Sequence, residues 1–102
     1  MILHAVFLAL RADHDPAEKI AVMDGLGALV GHAEGFTAFS HGPNIDAEGK
    51  SPDHPYGFLC TFEDRAALDR YAADPRHRAL GARLVALCRD GAAGIVVYDL
   101  DV

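Results

Sequence analysis

The sequence predicts an α+β fold in the order strand, helix, strand, strand, helix, strand. Three observations carry this. Four short runs, near residues 2–10, 35–41, 56–62 and 95–100, are apolar or alternate in polarity as strands do. Two stretches between them repeat apolar residues at helical spacing behind acidic or Asp-Pro starts. The 102 residues are enough for a single domain, taken as 1–102, with a modest core that needs no metal or disulfide.

The first run, Ile2 to Leu10, reads as a strand buried on both faces. Asp15-Pro16-Ala17-Glu18 follows as a capping-box helix start, with Asp15 as N-cap, Pro16 in the first turn and Glu18 three residues on. Ile20, Met23, Leu26, Gly27 and Val30 carry the helical stripe to about Gly31. Gly35 to His41 reads as the second strand, with Phe36, Ala38 and Ser40 on one face and Thr37, Phe39 and His41 on the other. Residues 43–55, with three prolines, a glycine and several charges, read as a mobile loop. Tyr56 to Phe62 is the third strand. Glu63 or Asp64 then caps a helix whose inner face holds Leu68 and Tyr71. Pro75 interrupts and restarts it, Leu80, Leu84, Leu87 and Cys88 continue the stripe, and Gly91 is the expected stop. Ile95 to Leu100 is the last strand.

This order is the ferredoxin-like βαββαβ arrangement, a four-stranded antiparallel sheet with its helices on one face. The other face would then show water an apolar row drawn from Phe7 or Leu8, Phe36 or Phe39, Phe58 or Leu59, and Val96 or Val97. A patch of that size calls for a partner, and a second copy packed sheet on sheet by two-fold symmetry is the simplest. A homodimer is therefore expected.

With 51% hydrophobic and 24% charged residues, the composition is that of an ordinary folded domain. The net charge of −6 argues against nucleic acid and against anionic membrane surfaces, both of which need basic patches. The apolar first run is too short to span a bilayer, and the cytoplasm is the expected compartment. Cys60 and Cys88 sit within apolar patterns and read as buried thiols. The six histidines show no close pairing with one another or with cysteine, so no metal site is expected. No phosphate loop, nucleophile elbow or dinucleotide fingerprint is present, and function without a cofactor is the default.

The stretch richest in chemistry is Tyr71-Ala72-Ala73-Asp74-Pro75-Arg76-His77. Asp74 suits the N-cap and Pro75 the first helical position, which puts His77 third, beside free backbone N–H groups and the positive end of the helix dipole. That field disfavours the imidazolium while the Asp74 carboxylate favours it. A histidine so placed is an acid–base candidate. Read as local structure alone, the same residues simply start a helix and leave His77 at the surface.

The pattern resembles the stress-responsive A/B barrel (Dabb) family, a branch of the dimeric α+β barrels. The resemblance runs through nearly the whole chain: His4 in an apolar first strand, Gly42-Pro43-Asn44 after the second, and, most specifically, Phe62-Glu63-Asp64 followed by Leu68, Tyr71, Asp74-Pro75 and His77. It implies a sheet-to-sheet homodimer with a cavity between the sheet and helices of each protomer. Some members of that family are enzymes. A plant member closes a linear polyketide by aldol condensation with a tyrosine and a histidine that match Tyr71 and His77. The resemblance thus implies His77 as base and Tyr71 as oxyanion donor. His4, near the start of a central strand, either points into the same cavity or is hydrogen-bonded at the sheet edge, and with Tyr56 and Gly81 it is a ligand-binding candidate. Many members read Tyr-x-His at the start of the third strand. Here the sequence is His54-Pro55-Tyr56, with a tyrosine in the histidine's place, and Ala9 stands where a lysine is common. Ala72, Ala73, Ala79 and Gly81 surround the motif with small side chains, which makes either a roomier pocket or closer helix packing. The functional expectation is a small hydrophobic or carbonyl-bearing ligand and cofactor-independent lyase or cyclase chemistry. The rival expectation is a non-catalytic, stress-associated dimeric binding module.

Overall fold

The computed structural model describes all residues 1–102. Its elements are β1 (Ile2–Leu8), α1 (Pro16–Gly27), β2 (Phe36–Pro43), β3 (Tyr56–Phe62), α2 (Arg65–Ala73), α3 (Pro75–Leu87), a 3-10 turn (Gly91–Gly94) and β4 (Ile95–Asp101). The four strands form one antiparallel sheet in the order β2-β3-β1-β4. The ferredoxin-like arrangement expected from the sequence is therefore the one observed.

Register decides which side chains meet the helices. Ile2, Val6 and Leu8 of β1 and Tyr56, Phe58, Cys60 and Phe62 of β3 alternate into the core, where each is buried. With Val22, Met23 and Leu26 of α1, Ala67, Leu68 and Tyr71 of α2, and Leu84 and Leu87 of α3, they form one continuous cluster. Each fully buried large apolar side chain contributes about 1.5–3 kcal/mol.

Four local expectations are corrected. In β2, a bulge between Phe36 and Ala38 inserts one residue, so Phe36 and Phe39 share the helix-facing side rather than opposing faces. The first helix ends at Gly27, short of Gly31, because the chain turns there and Gly31 itself takes a left-handed φ of 79°. Glu18 does not complete a capping box. Asp15 accepts from the Ala17 amide at 2.9 Å, and Glu18 instead receives a bidentate pair from Arg83 of α3 at 2.6 and 3.0 Å. The 43–55 segment is organised by its own side chains. Asp46 accepts from the backbone amides of Glu48, Lys50 and Ser51, and Asn44 Nδ2 donates to Ser51 and to the His54 carbonyl. In addition, Gly91 opens the 3-10 turn instead of closing α3, which ends at Leu87.

The face away from the helices carries Leu3 and Phe7 of β1, Leu59 of β3, and Val96, Tyr98 and Leu100 of β4. Leu59, Tyr98 and Leu100 are 44%, 60% and 55% exposed. The expected apolar row is present, but Leu8, Phe36, Phe39 and Phe58 belong to the core side, and β2 offers only Ala38, Ser40 and Gly42 to the open face. Val97 pairs with the core residue Val6, so it lies on the helix side of β4. Its exposure arises because the helices stop short of this edge strand, of which only Ile95 packs against the core. No helix is long and apolar enough to cross a membrane.

Candidate functional site

Tyr71 and His77 meet because two helices share one hinge residue. Asp64 caps α2 by accepting from the Ala67 amide at 2.8 Å, which fixes Ala67, Leu68 and Tyr71 on the inner face. Asp74 then ends α2 and starts α3, accepting from the Arg76 amide at 2.8 Å. The Arg76 guanidinium clamps the same carboxylate at 2.6 Å and holds it well below the usual range, down to about 2. Tyr71 in the last turn of α2 and His77 in the first turn of α3 are thereby brought face to face, their ring centroids 4.1 Å apart.

The surroundings of the pair are aromatic. The Tyr71 ring packs against Phe62 at 4.9 Å and Phe36 at 5.1 Å, and edge-on to His4 at 6.2 Å. Tyr71 is 2% exposed and His77 half-buried. Burial lowers the pKa of His77, and nearby His4 adds to that, while the Ala72 carbonyl and Asp74 pull the other way. The imidazole is therefore held towards its neutral form. Burial pushes the Tyr71 phenol well above its ordinary value, so the hydroxyl stays protonated. Cys60 lies close by, its thiol raised to about 12, again by burial.

Two buried side-chain nitrogen or oxygen atoms lack a hydrogen-bond partner of good geometry: the Tyr71 hydroxyl, beside which only the Cys60 thiol lies as a weak partner, and His77 Nδ1. They belong to the two rings in contact. Leaving one such group unsatisfied costs about 1–3 kcal/mol, so a coincident pair requires a reason.

His4 brings in a residue that sequence reasoning missed. Its Nδ1 lies 2.5 Å from Asp99 Oδ1, across the β1–β4 ladder where the two residues face each other. The contact occupies Nδ1 and leaves Nε2 free. Asp99 reads in the sequence as a solvated charge. The available signal was a pair of acids at alternate positions, Asp99 and Asp101, at the end of an otherwise apolar strand. A cavity of about 360 Å³, lined by Ile2, Arg65, Leu68, Asp99 and Asp101, reaches this pair from outside. None of the five main cavities is lined by Tyr71 or His77.

Gly81 lies one turn beyond His77 and is half-buried, yet a Cβ built there meets nothing within 4 Å. The space beside the helix is open. Gly81→Ala is accordingly expected to raise stability by about 0.5–1 kcal/mol in urea unfolding through helix propensity alone. A loss would mean that the space is filled. Tyr56 stands apart from the cluster. It lies four residues from Cys60 along β3, bonds His41 Nδ1 through its hydroxyl at 2.6 Å, and has Lys19 Nζ 4.3 Å from its ring centre. No three His, Cys, Asp or Glu side chains are grouped so as to hold a metal.

Residues 2–102 match the family model described as the stress responsive A/B barrel domain. The chain belongs to this family. Among solved structures, it is 48% identical to a dimeric ferredoxin-like protein of unknown function from Jannaschia sp. CCS1, with a TM-score of 0.93 over 99% of this chain and 98% of that one. It also resembles an Arabidopsis thaliana protein at 20% identity and TM-score 0.86, covering 100% of this chain and 95% of that one. The hydroxynitrile lyase from Passiflora edulis shares the fold at 16% identity and TM-score 0.84, covering 99% and 92%. A comparison with curated proteins finds no match in sequence. The Jannaschia relative is described as dimeric.

Proposed function

We propose that this A/B barrel protein is a homodimer, joined through its open sheet face, that carries out cofactor-independent acid–base chemistry on a small carbonyl-bearing substrate. The observation that carries the reading is the adjacent pair of orphaned polar atoms, Tyr71 Oη and His77 Nδ1. A buried phenol that stays protonated is suited to donate to a carbonyl oxygen and to the oxyanion that develops from it. A neutral imidazole in contact with it is suited to take the proton from the carbon next to that carbonyl. His4, oriented by Asp99, offers Nε2 as an auxiliary polar group. In an aldol step His77 takes the α-proton, the carbon forms its bond to the second carbonyl, and the proton returns to the resulting alkoxide; a lyase of this class runs the reverse, the base taking the hydroxyl proton as the C–C bond breaks and the departing carbon being protonated. The fold's presence in a hydroxynitrile lyase agrees with that class.

The test is α-proton exchange of a β-diketone in heavy water, followed by NMR. The native protein is expected to accelerate exchange, and His77→Ala and Tyr71→Phe are each expected to reduce the acceleration by about 10²–10³-fold. Tyr71→Phe carries a second expectation. Removing an unpartnered hydroxyl should leave stability unchanged or raise it by about 1 kcal/mol. A large loss of stability in Tyr71→Phe would show that the hydroxyl is structurally bonded, and equal exchange in all three proteins would refute the assignment.

A second reading is a non-catalytic dimeric binding module. It is favoured by one observation, that no main cavity is lined by Tyr71 or His77. Absence of exchange with a panel of β-diketones, in a protein that is a dimer by native mass spectrometry, would decide for it.

A further inference from the structure

The opposite end of the sheet holds a second concave site with a different character. A cavity of about 430 Å³ opens between the chain leaving β1, the first turns of α1 and the start of β3, and Arg11, His14, Lys19, Pro43, Pro55 and Tyr56 line it. Three of these are basic, and none of the residues lining the cavity is acidic, in a chain whose net charge is −6. Lys19 forms no salt bridge, and its ammonium is instead held 4.3 Å from the centre of the Tyr56 ring. Arg11 is partly neutralised by Asp13, which it grips at 3.0 Å. His14 Nδ1 donates to the Arg11 carbonyl at 2.7 Å, which leaves Nε2 of the neutral ring as an acceptor.

The remaining wall is apolar and rigid. Tyr56 is buried and fixed by its hydroxyl contact with His41, and the Asn44 amide donates to the Pro55 carbonyl at 2.9 Å, closing the strand ends around Pro43 and Pro55. The arrangement pairs one free cation with a flat apolar surface. From this juxtaposition we infer that the cavity binds a small organic carboxylate, its anionic head on Lys19 and its apolar body against Tyr56 and the two prolines.

The probe is benzoate, titrated into the full chain by calorimetry at low ionic strength, with backbone amide shifts recorded in parallel. Saturable binding is expected, with shifts moving at Leu10 to His14, Lys19 and Tyr56. Lys19→Met keeps the aliphatic stem and removes the charge, and it is expected to weaken binding by about two- to fivefold. Inorganic phosphate, which lacks the apolar body, is expected to bind at least about tenfold more weakly than benzoate. No saturable binding, equal affinity in Lys19→Met, or shifts confined to Tyr71 and His77 would each overturn the inference. Phosphate binding as tightly as benzoate would overturn the assigned ligand class. Should Lys19→Met fail to fold, the shift map of the native chain decides.

Discussion

Phe62→Ala is expected to lose about 3–5 kcal/mol of stability, the range for truncating a large buried aromatic side chain. Phe62 is fully buried at the end of β3. Its ring stacks on Phe36 at 4.9 Å and lies 4.9 Å from Tyr71 and 6.2 Å from His4. Truncation removes the shared floor of three aromatic neighbours, and the helices cannot close the gap without moving Tyr71 off His77. Domains of this size are stable by only about 5–15 kcal/mol, so the loss is a large share of the total and the unfolding midpoint should fall steeply. Urea denaturation followed by far-UV circular dichroism measures it. A loss below about 1 kcal/mol would show that the site collapses around the cavity, and the aromatic floor would not be what holds Tyr71 in place.

Leu59→Asp is expected to convert the protein from dimer to monomer. Leu59 lies near the middle of the open face and is 44% exposed in the single chain, so a carboxylate there is harmless to the fold but would be buried against a second sheet. Desolvating an unpaired charge costs several kcal/mol, and even about 3 kcal/mol weakens association by more than about a hundredfold. Native mass spectrometry and light scattering after gel filtration read the outcome. Tyr98→Asp, on the same face of β4, should behave alike. An undiminished dimer in both variants would remove the open face from the interface, and the homodimer proposed above would need another surface.

Much of the fold was legible because its signals are local. Asp15-Pro16 and Asp74-Pro75 each place a capping carboxylate before a residue that can only begin a helix, and both helices start there. Tyr56 to Phe62 forms a strand with the bounds read from the sequence, while the register decides that Phe58 and not Leu59 faces the core. The loop around Asp46 was misread because prolines and charges suggest mobility, while the hydrogen bonds that order it converge on one carboxylate and one amide whose roles composition does not reveal.

By itself, then, the sequence determined the element order, the helix caps and the presence of Tyr71 and His77 on either side of a helix break. The tertiary structure decided the rest. It slipped β2 by one residue through a bulge, so that Phe36 and Phe39 both line the core. It set His4 against Asp99 by pairing the first strand with the last, residues 95 positions apart. It also moved Tyr56 out of the candidate site and into a separate cavity beside Lys19. The physical reason is the range of the forces. Caps and periodicity act over three or four residues and leave their mark in the sequence, whereas register and side-chain encounter are settled only when distant segments compete to bury the same surface.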